Sequence, residues 1–255
     1  MDERLKAFER LLNVMDDLRE KCPWDKKQTI SSLRKLTIEE TYELSDAIIN
    51  NDIKGVQEEL GDVMLHMVFY SKIASETQDF DIADVLNGIC EKLIYRHPHI
   101  YGDVKVSSEE EVKQNWEKLK LKEGKKSVLE GVPKGLPSMV KAQRIQDKVR
   151  QVGFDWEETS QVVDKIHEEL SELSEAVKSN DPVEIENEMG DVLFAVINYA
   201  RLLNLDAEKS LEMTNIKFMK RFQWMEKHAA TQNLSIADVN IKDMGKWWQL
   251  AKLDE

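Results

Sequence analysis

The stretch Gln57–Tyr70, QEELGDVMLHMVFY, opens acidic and closes as a long apolar run. A second stretch, Glu186–Tyr199, ENEMGDVLFAVINY, has the same order. The correspondence extends without a gap from Glu39–Lys72 to Glu168–Arg201. About 13 of these 34 pairs are identical, and most others exchange like for like. Such self-similarity marks a duplicated unit. After a short deletion the match resumes: KLIYRH (Lys92–His97) lies over KFMKRF (Lys217–Phe222), and WEKLK at Trp116 over WQLAK at Trp248. The chain therefore reads as two tandem copies divided near residue 130. Residues 1–130 form the first, with its linker arm, and residues 131–255 the second.

Each copy reads as a helical bundle, so the fold class is all-α. Proline and glycine are scarce, and alternation of the strand kind is hard to find. Leu5, Phe8, Leu11, Leu12, Met15 and Leu18 recur at helical spacing until Pro23 intervenes. Further helices are expected over 30–50, 56–77, 82–95, 140–151, 159–179, 182–203, 207–231 and 241–253. Pro182 suits a first helical turn, where its missing N–H costs nothing. RHPHIYGDVKVS (96–107) reads as a loop and 108–124 as a charged helix. GKKSVLEGVPKGLPSM (124–139), with three glycines and two prolines, reads as a linker.

The formal charge of −13 disfavours a nucleic-acid backbone or an anionic membrane as partner. A small phosphate ligand would need metal ions or a local basic cluster. Cys22 and Cys90 make no CxxC or zinc spacing and read as ordinary reduced thiols. The start MDERLKAFERLL is charged and amphipathic, unlike a signal peptide, and no apolar run reaches membrane-spanning length. A cytoplasmic protein is expected.

The acids of the two copies share one pattern: E-E-x-x-E, fifteen intervening residues, then E-x-x-D. Copy one has Glu39, Glu40, Glu43, Glu59 and Asp62; copy two has Glu168, Glu169, Glu172, Glu188 and Asp191. On a helix, i, i+1 and i+4 share a face, as do i and i+3. The spacing allows a helix, a tight turn and an antiparallel return, so the two acidic faces can meet. The plain alternative is a solvated acidic surface near a helix start. Against it, both E-x-x-D pairs lead straight into an apolar run. Acids close to a core-facing stripe repel one another and lose solvation unless a cation compensates. The pattern therefore points to a metal site.

Carboxylate-only donors suit Mg²⁺, with Mn²⁺ as a possible substitute, and Mg²⁺ commonly binds together with substrate phosphates. The E-x-x-H of di-iron bundles is absent. HEELS at His167 resembles HExxH but ends in Ser171. His66 stands opposite Ala195 in the other copy and reads as a polar or core histidine. Lys217 with Arg221, and Lys92 with Arg96, stand at i and i+4. They suit ion pairs in so acidic a chain, or phosphate oxygens left uncovered by metal. Trp24, Trp156 and Trp248 are candidates for core positions or for stacking on a base.

The GDV motif, the E-E-x-x-E helix, CPWDKKQT before TIEETYELSDAI, RHPHIYG and VGFDWEE together closely resemble the MazG family of nucleoside triphosphate pyrophosphohydrolases. The resemblance spans nearly the whole chain. It implies helical bundles that associate as homodimers or higher assemblies. It implies hydrolysis of NTPs to NMP and pyrophosphate with Mg²⁺, and a catalytic C-terminal copy. By resemblance Glu168, Glu169, Glu172, Glu188 and Asp191 are metal ligands, with Glu169 and Glu172 expected at the chemistry. Lys165, Lys217, Arg221 and Trp248 resemble nucleotide contacts. The first copy keeps every acid, and Lys92 and Arg96, but has Leu36 opposite Lys165. A relative restricted to one nucleotide would share these motifs, as would a non-catalytic nucleotide-sensing protein.

Overall fold

The computed structural model describes residues 2–108, 111–112, 115–116, 119 and 127–254, and no strand occurs among them. The chain forms two compact units, Met1–Val112 and Lys113–Glu255.

The first unit holds α1 (Glu3–Lys21), α2 (Ile30–Ile49), α3 (Ile53–Glu76), α4 (Ile82–Arg96) and the short α5 (Pro98–Tyr101). Thr29 and Ser32 form a reciprocal capping box that starts α2. Asp52 caps α3 by accepting a hydrogen bond from the Gly55 N–H. That cap starts α3 three residues before the expected Val56, so Glu59 and Asp62 lie inside the helix rather than at its start. RHPHIYG is not wholly a loop: Pro98 sits at the first position of α5, where its fixed φ favours a helical turn. α2 packs along α3, and α1 lies against α3. Met15, Leu33, Val68 and Phe69 form the core, flanked by Phe8, Leu36 and Leu65. Complete burial of a side chain such as Leu33 contributes about 1.5–3 kcal/mol.

The second unit holds α6 (Ser138–Arg150), α7 (Thr159–Ser179), α8 (Pro182–Leu202), α9 (Ala207–Thr231) and α10 (Ile241–Ala251). Pro182 occupies the first turn of α8, as its sequence position suggests. α7 and α8 pair as α2 and α3 do, and α6 lies against α8. Asn51 and Asn180 both turn the chain with positive φ, 55° and 59°. α9 and α10 share a core of Met225, Ala229 and Trp247. The segment around 127–137 is held within this unit: Lys148 Nζ donates to the Val128 carbonyl at 3.0 Å, and Lys141 Nζ to the Lys134 carbonyl at 2.7 Å. The expected boundary near residue 130 thus falls inside the second compact unit. Residues 111, 112, 115, 116 and 119 of the expected charged helix are helical; the rest of that segment lies outside the described residues.

Candidate functional site

Glu169 and Glu172 stand one turn apart on α7, and Glu188 comes across from α8. One carboxylate oxygen from each lies within 4.8 Å of the others. Glu40 and Glu43 on α2 meet Glu59 on α3 in the same way. The paired helices therefore bring the two halves of each acidic pattern together.

The crowding is visible in proton affinity. Burial, then the charges of Asp62, Glu43 and Glu39, pushes the Glu40 carboxyl above its ordinary range. Burial, then Glu43, Asp62 and Glu40, does the same to Glu59. A hydrogen bond with Glu169, then burial and the charges of Glu169 and Glu188, raises Glu172. Lys165 opposes this rise. Its Nζ lies 2.7 Å from Glu168 Oε1 and 2.9 Å from Glu169 Oε1, and these bonds hold its own pKa well above the usual lysine range. At the matching position of α2 copy one has Leu36, which packs against the core.

Glu59 Oε2 is buried with no hydrogen-bond partner among the described residues. Hard oxygen donors that converge, repel one another and leave a buried oxygen orphaned fit a hard divalent cation. Both clusters have donor sets of this chemistry.

The remaining expected residues are distributed as follows. Glu39 and Glu168 lie on the same helices outside the three-oxygen clusters, and Glu168 is engaged by Lys165. Asp62 adds its charge to Glu40 and Glu59. Asp191 joins Lys165 and Glu169 in lining a cavity of about 470 Å³. Lys217 is exposed on α9, and the Arg221 guanidinium lies 5.5 Å over the Trp248 ring. Phe218 packs on the same ring at 4.9 Å. Lys217, Arg221 and Trp248 do not line the cavity. Lys92 is exposed on α4, and Arg96 is half-buried. His66 is buried, and desolvation lowers its pKa, as befits a core histidine. Trp24 and Trp156 are not core residues, being 55% and 42% exposed; Trp247 takes the buried place.

The cavity contains residues that the acidic pattern did not single out. Phe154, Trp156 and Phe194 give it aromatic walls, and Gln146, Asn198 and Arg201 line it as polar groups. Arg201 Nη1 donates to Asp155 Oδ2 at 3.1 Å, its Nη2 donates to the other oxygen, and its Nε donates to Asn198 Oδ1 at 3.0 Å. The signal for Asn198 was the repeat itself, which sets this polar residue opposite Phe69.

A profile described as the MazG nucleotide pyrophosphohydrolase domain matches residues 28–101 and again 157–226. The chain belongs to the MazG family. Both matches contain the full acidic pattern. The nucleoside triphosphate pyrophosphohydrolase of Escherichia coli K12 is 38% identical over 260 residues, covering 98% of this chain and 99% of that protein. The nucleoside triphosphate pyrophosphohydrolase/pyrophosphatase MazG of Thermotoga maritima is 43% identical over 257 residues, covering 99% and 98%. A solved mazG-related protein from Thermotoga maritima overlaps 44% of this chain and 98% of its own, at 29% identity and a TM-score of 0.40. The family match in the second copy begins just after Trp156, so Gln146, Phe154 and Trp156 lie outside it. No described helix is long and apolar enough to cross a membrane.

Proposed function

We propose that this chain is a Mg²⁺-dependent nucleoside triphosphate pyrophosphohydrolase. It converts NTPs and dNTPs to the nucleoside monophosphate and pyrophosphate, and Mn²⁺ substitutes for Mg²⁺. Family membership supports the reaction class. The observation that carries the assignment to the second copy is the junction of Glu169, Glu172 and Glu188 with Lys165, beside a cavity shared by Lys165, Glu169 and Asp191.

Glu168, Glu169, Glu172, Glu188 and Asp191 would hold the metal. When bound, Mg²⁺ neutralises triphosphate charge and lowers the pKa of water. Lys165 leaves its carboxylate partners and meets a phosphate oxygen. Glu172, with Glu169 beside it, accepts a proton from the water that attacks the α-phosphorus. A new O–P bond forms, and the bridging P–O bond breaks. Pyrophosphate departs with the bonding electrons, and Lys217 and Arg221 are assigned to its charge. Copy one lacks the lysine, so its acids are assigned to metal binding without turnover.

The protein is read as cytoplasmic and as a homodimer. Support for the dimer comes from α4, which buries none of its residues although Leu86, Ile89 and Leu93 lie along it. A second copy is the occupant assigned to that face.

The test is pyrophosphate release from all standard NTPs and dNTPs, with and without Mg²⁺. Release from many substrates is expected, with loss on chelation. Turnover of one nucleotide alone would mark a restricted specificity; binding without release would mark a sensor. In ¹⁸O water the label should appear in the monophosphate, and label in pyrophosphate would rule out attack at the α-phosphorus.

A further inference from the structure

We infer that Arg201 and Asp155 are positioning residues for the reaction: their buried ion pair pins the loop before α7 to α8 and keeps the cavity walls in place beside the carboxylate cluster. The inference rests on the pyrophosphohydrolase reading above and adds to it a pair that need not touch the reacting atoms. The cavity runs along α8 from Asp191 to Arg201. Ten residues of helix make that about 15 Å. Asp191 lies at the carboxylate end, and Arg201 lines the other. Across an open space of about 470 Å³ the wall side chains cannot support one another by close packing, so a contact at its edge has to hold them.

Arg201 is 6% exposed and its guanidinium is fixed in direction. Nη1 donates to Asp155 Oδ2 at 3.1 Å, Nη2 donates to Asp155 Oδ1, and Nε donates to Asn198 Oδ1 at 3.0 Å. A two-pronged contact between guanidinium and carboxylate sets orientation as well as distance. Asp155 Oδ1 also accepts from the Trp156 N–H at 3.0 Å, and Arg150 Nε at the end of α6 lies 3.5 Å from Oδ2. One carboxylate therefore ties the end of α6, the loop and α8. Burial of the loop's own aromatics cannot replace this tie, since Phe154 is 77% exposed and Trp156 42%. α7 begins at Thr159, soon after Asp155, so the tie also governs where α7 starts and how Lys165 and Glu169 approach α8.

Copy one holds its helices differently. Phe69 and Lys72 stand at the places of Asn198 and Arg201. Phe69 belongs to the core with Met15 and Leu33, so close packing supports α3 directly. Lys72 pairs with Asp16 of α1 at 2.6 Å. The loop before α2 is held from α1: Arg19 Nη1 donates to the Asp25 carbonyl and, at 3.2 Å, to the Gln28 carbonyl. Both α8 members of the pin are thus replaced together in the copy where Phe69 fills the core.

Without the pin the loop should leave its place and lower the fraction of molecules ready for substrate. If that fraction falls to about a tenth, KM rises about tenfold while the saturated enzyme keeps its kcat. The experiment uses the full chain and the double variant Asp155→Leu/Arg201→Met, which removes both charges so that neither is left buried and unpaired. Thermal melts establish folding at the assay temperature. Where the double variant does not fold, Arg201→Lys, which keeps the charge but loses the fork, takes its place under the same criteria. Three readouts are taken: steady-state pyrophosphate release from ATP with Mg²⁺, Mn²⁺ binding, and limited chymotrypsin digestion with the cut after Phe154 followed by mass spectrometry. KM should rise about tenfold with kcat within about twofold of the parent, Mn²⁺ binding should be kept, and cleavage after Phe154 should quicken about tenfold. A pair that only contributed stability would leave the KM of a folded variant where it was. A folded variant with the parent KM, or with the parent cleavage rate, would overturn the pin and leave the enzyme reading standing. A fall in kcat at constant KM would overturn it too. A parent that releases no pyrophosphate would overturn the enzyme reading; the digestion then decides by itself whether the ion pair holds the loop, faster cleavage supporting it and unchanged cleavage overturning it.

Discussion

Glu172 and Glu43 hold equivalent places in the repeat, yet their surroundings differ. Glu172 stands near Lys165 and beside Glu169, whereas copy one has Leu36 at the place of Lys165. Glu172→Gln should lower pyrophosphate release by about 10²-fold or more, the usual worth of a positioned acid–base group. Glu43→Gln should leave most turnover in the same assay. Glu59 supplies a stability test. Its pKa is raised in the folded chain, so folding at neutral pH holds a charge that the fold disfavours. Metal-free Glu59→Gln should therefore melt above the parent at pH 7. The advantage should vanish as pH falls through the raised pKa and below the ordinary value of 4.5, where the parent carboxyl is protonated in both states. Opposite results in thermal melts across this range would contradict the crowding of the copy-one acids. These acids were legible in the sequence because spacing along a helix dictates a shared face. Gln146 was not, and the repeat marks Asn198 only as a polar residue opposite Phe69, because their significance comes from a cavity assembled by α6, α7, α8 and the loop before α7.

At the scale of elements, the two-helix unit depends on its turn. Asn180 ends α7 in the left-handed region, where a side chain with Cβ is strained unless it is short and polar. Asn180→Ala should cost about 1 kcal/mol in denaturant unfolding, and Asn180→Gly should recover most of it. A null effect of the alanine variant would remove the turn as a determinant of how α7 meets α8. The same conformation at Asn51 explains why NND and SND survive at matching places in the repeat. Most helices were readable from apolar periodicity and caps. The start of α3 was misplaced because Asp52 caps across Gly55, and α5 was missed because a four-residue helix shows no period. Local capping chemistry decides such boundaries, and it overrides the apolar pattern by a few residues.

For the whole molecule, two consequences follow from surfaces and ligands. Ile89 and Leu93 on α4 are 41% and 43% exposed. Replacing both by aspartate should shift sedimentation toward monomer if α4 is covered by a second copy, and an unchanged profile would place the interface elsewhere. Mg²⁺ should raise the melting temperature of the parent, since a ligand of the folded state stabilises it by mass action, about 2.7 kcal/mol at a hundredfold excess over Kd. Glu188→Gln should blunt that rise. The sequence alone determined the duplication, the all-α class, the two acidic faces and the family, because all four are written in local spacing and in the repeat. The sequence set Leu36 opposite Lys165 and Phe69 opposite Asn198, and only the tertiary structure showed what surrounds each. Packing brings Gln146, Trp156, Lys165, Ala195 and Asn198 around one space in copy two, whereas copy one has Leu36, His66 and Phe69 at the places of Lys165, Ala195 and Asn198. Cavities depend on which side chains meet across helices, and periodicity along one helix holds no record of that.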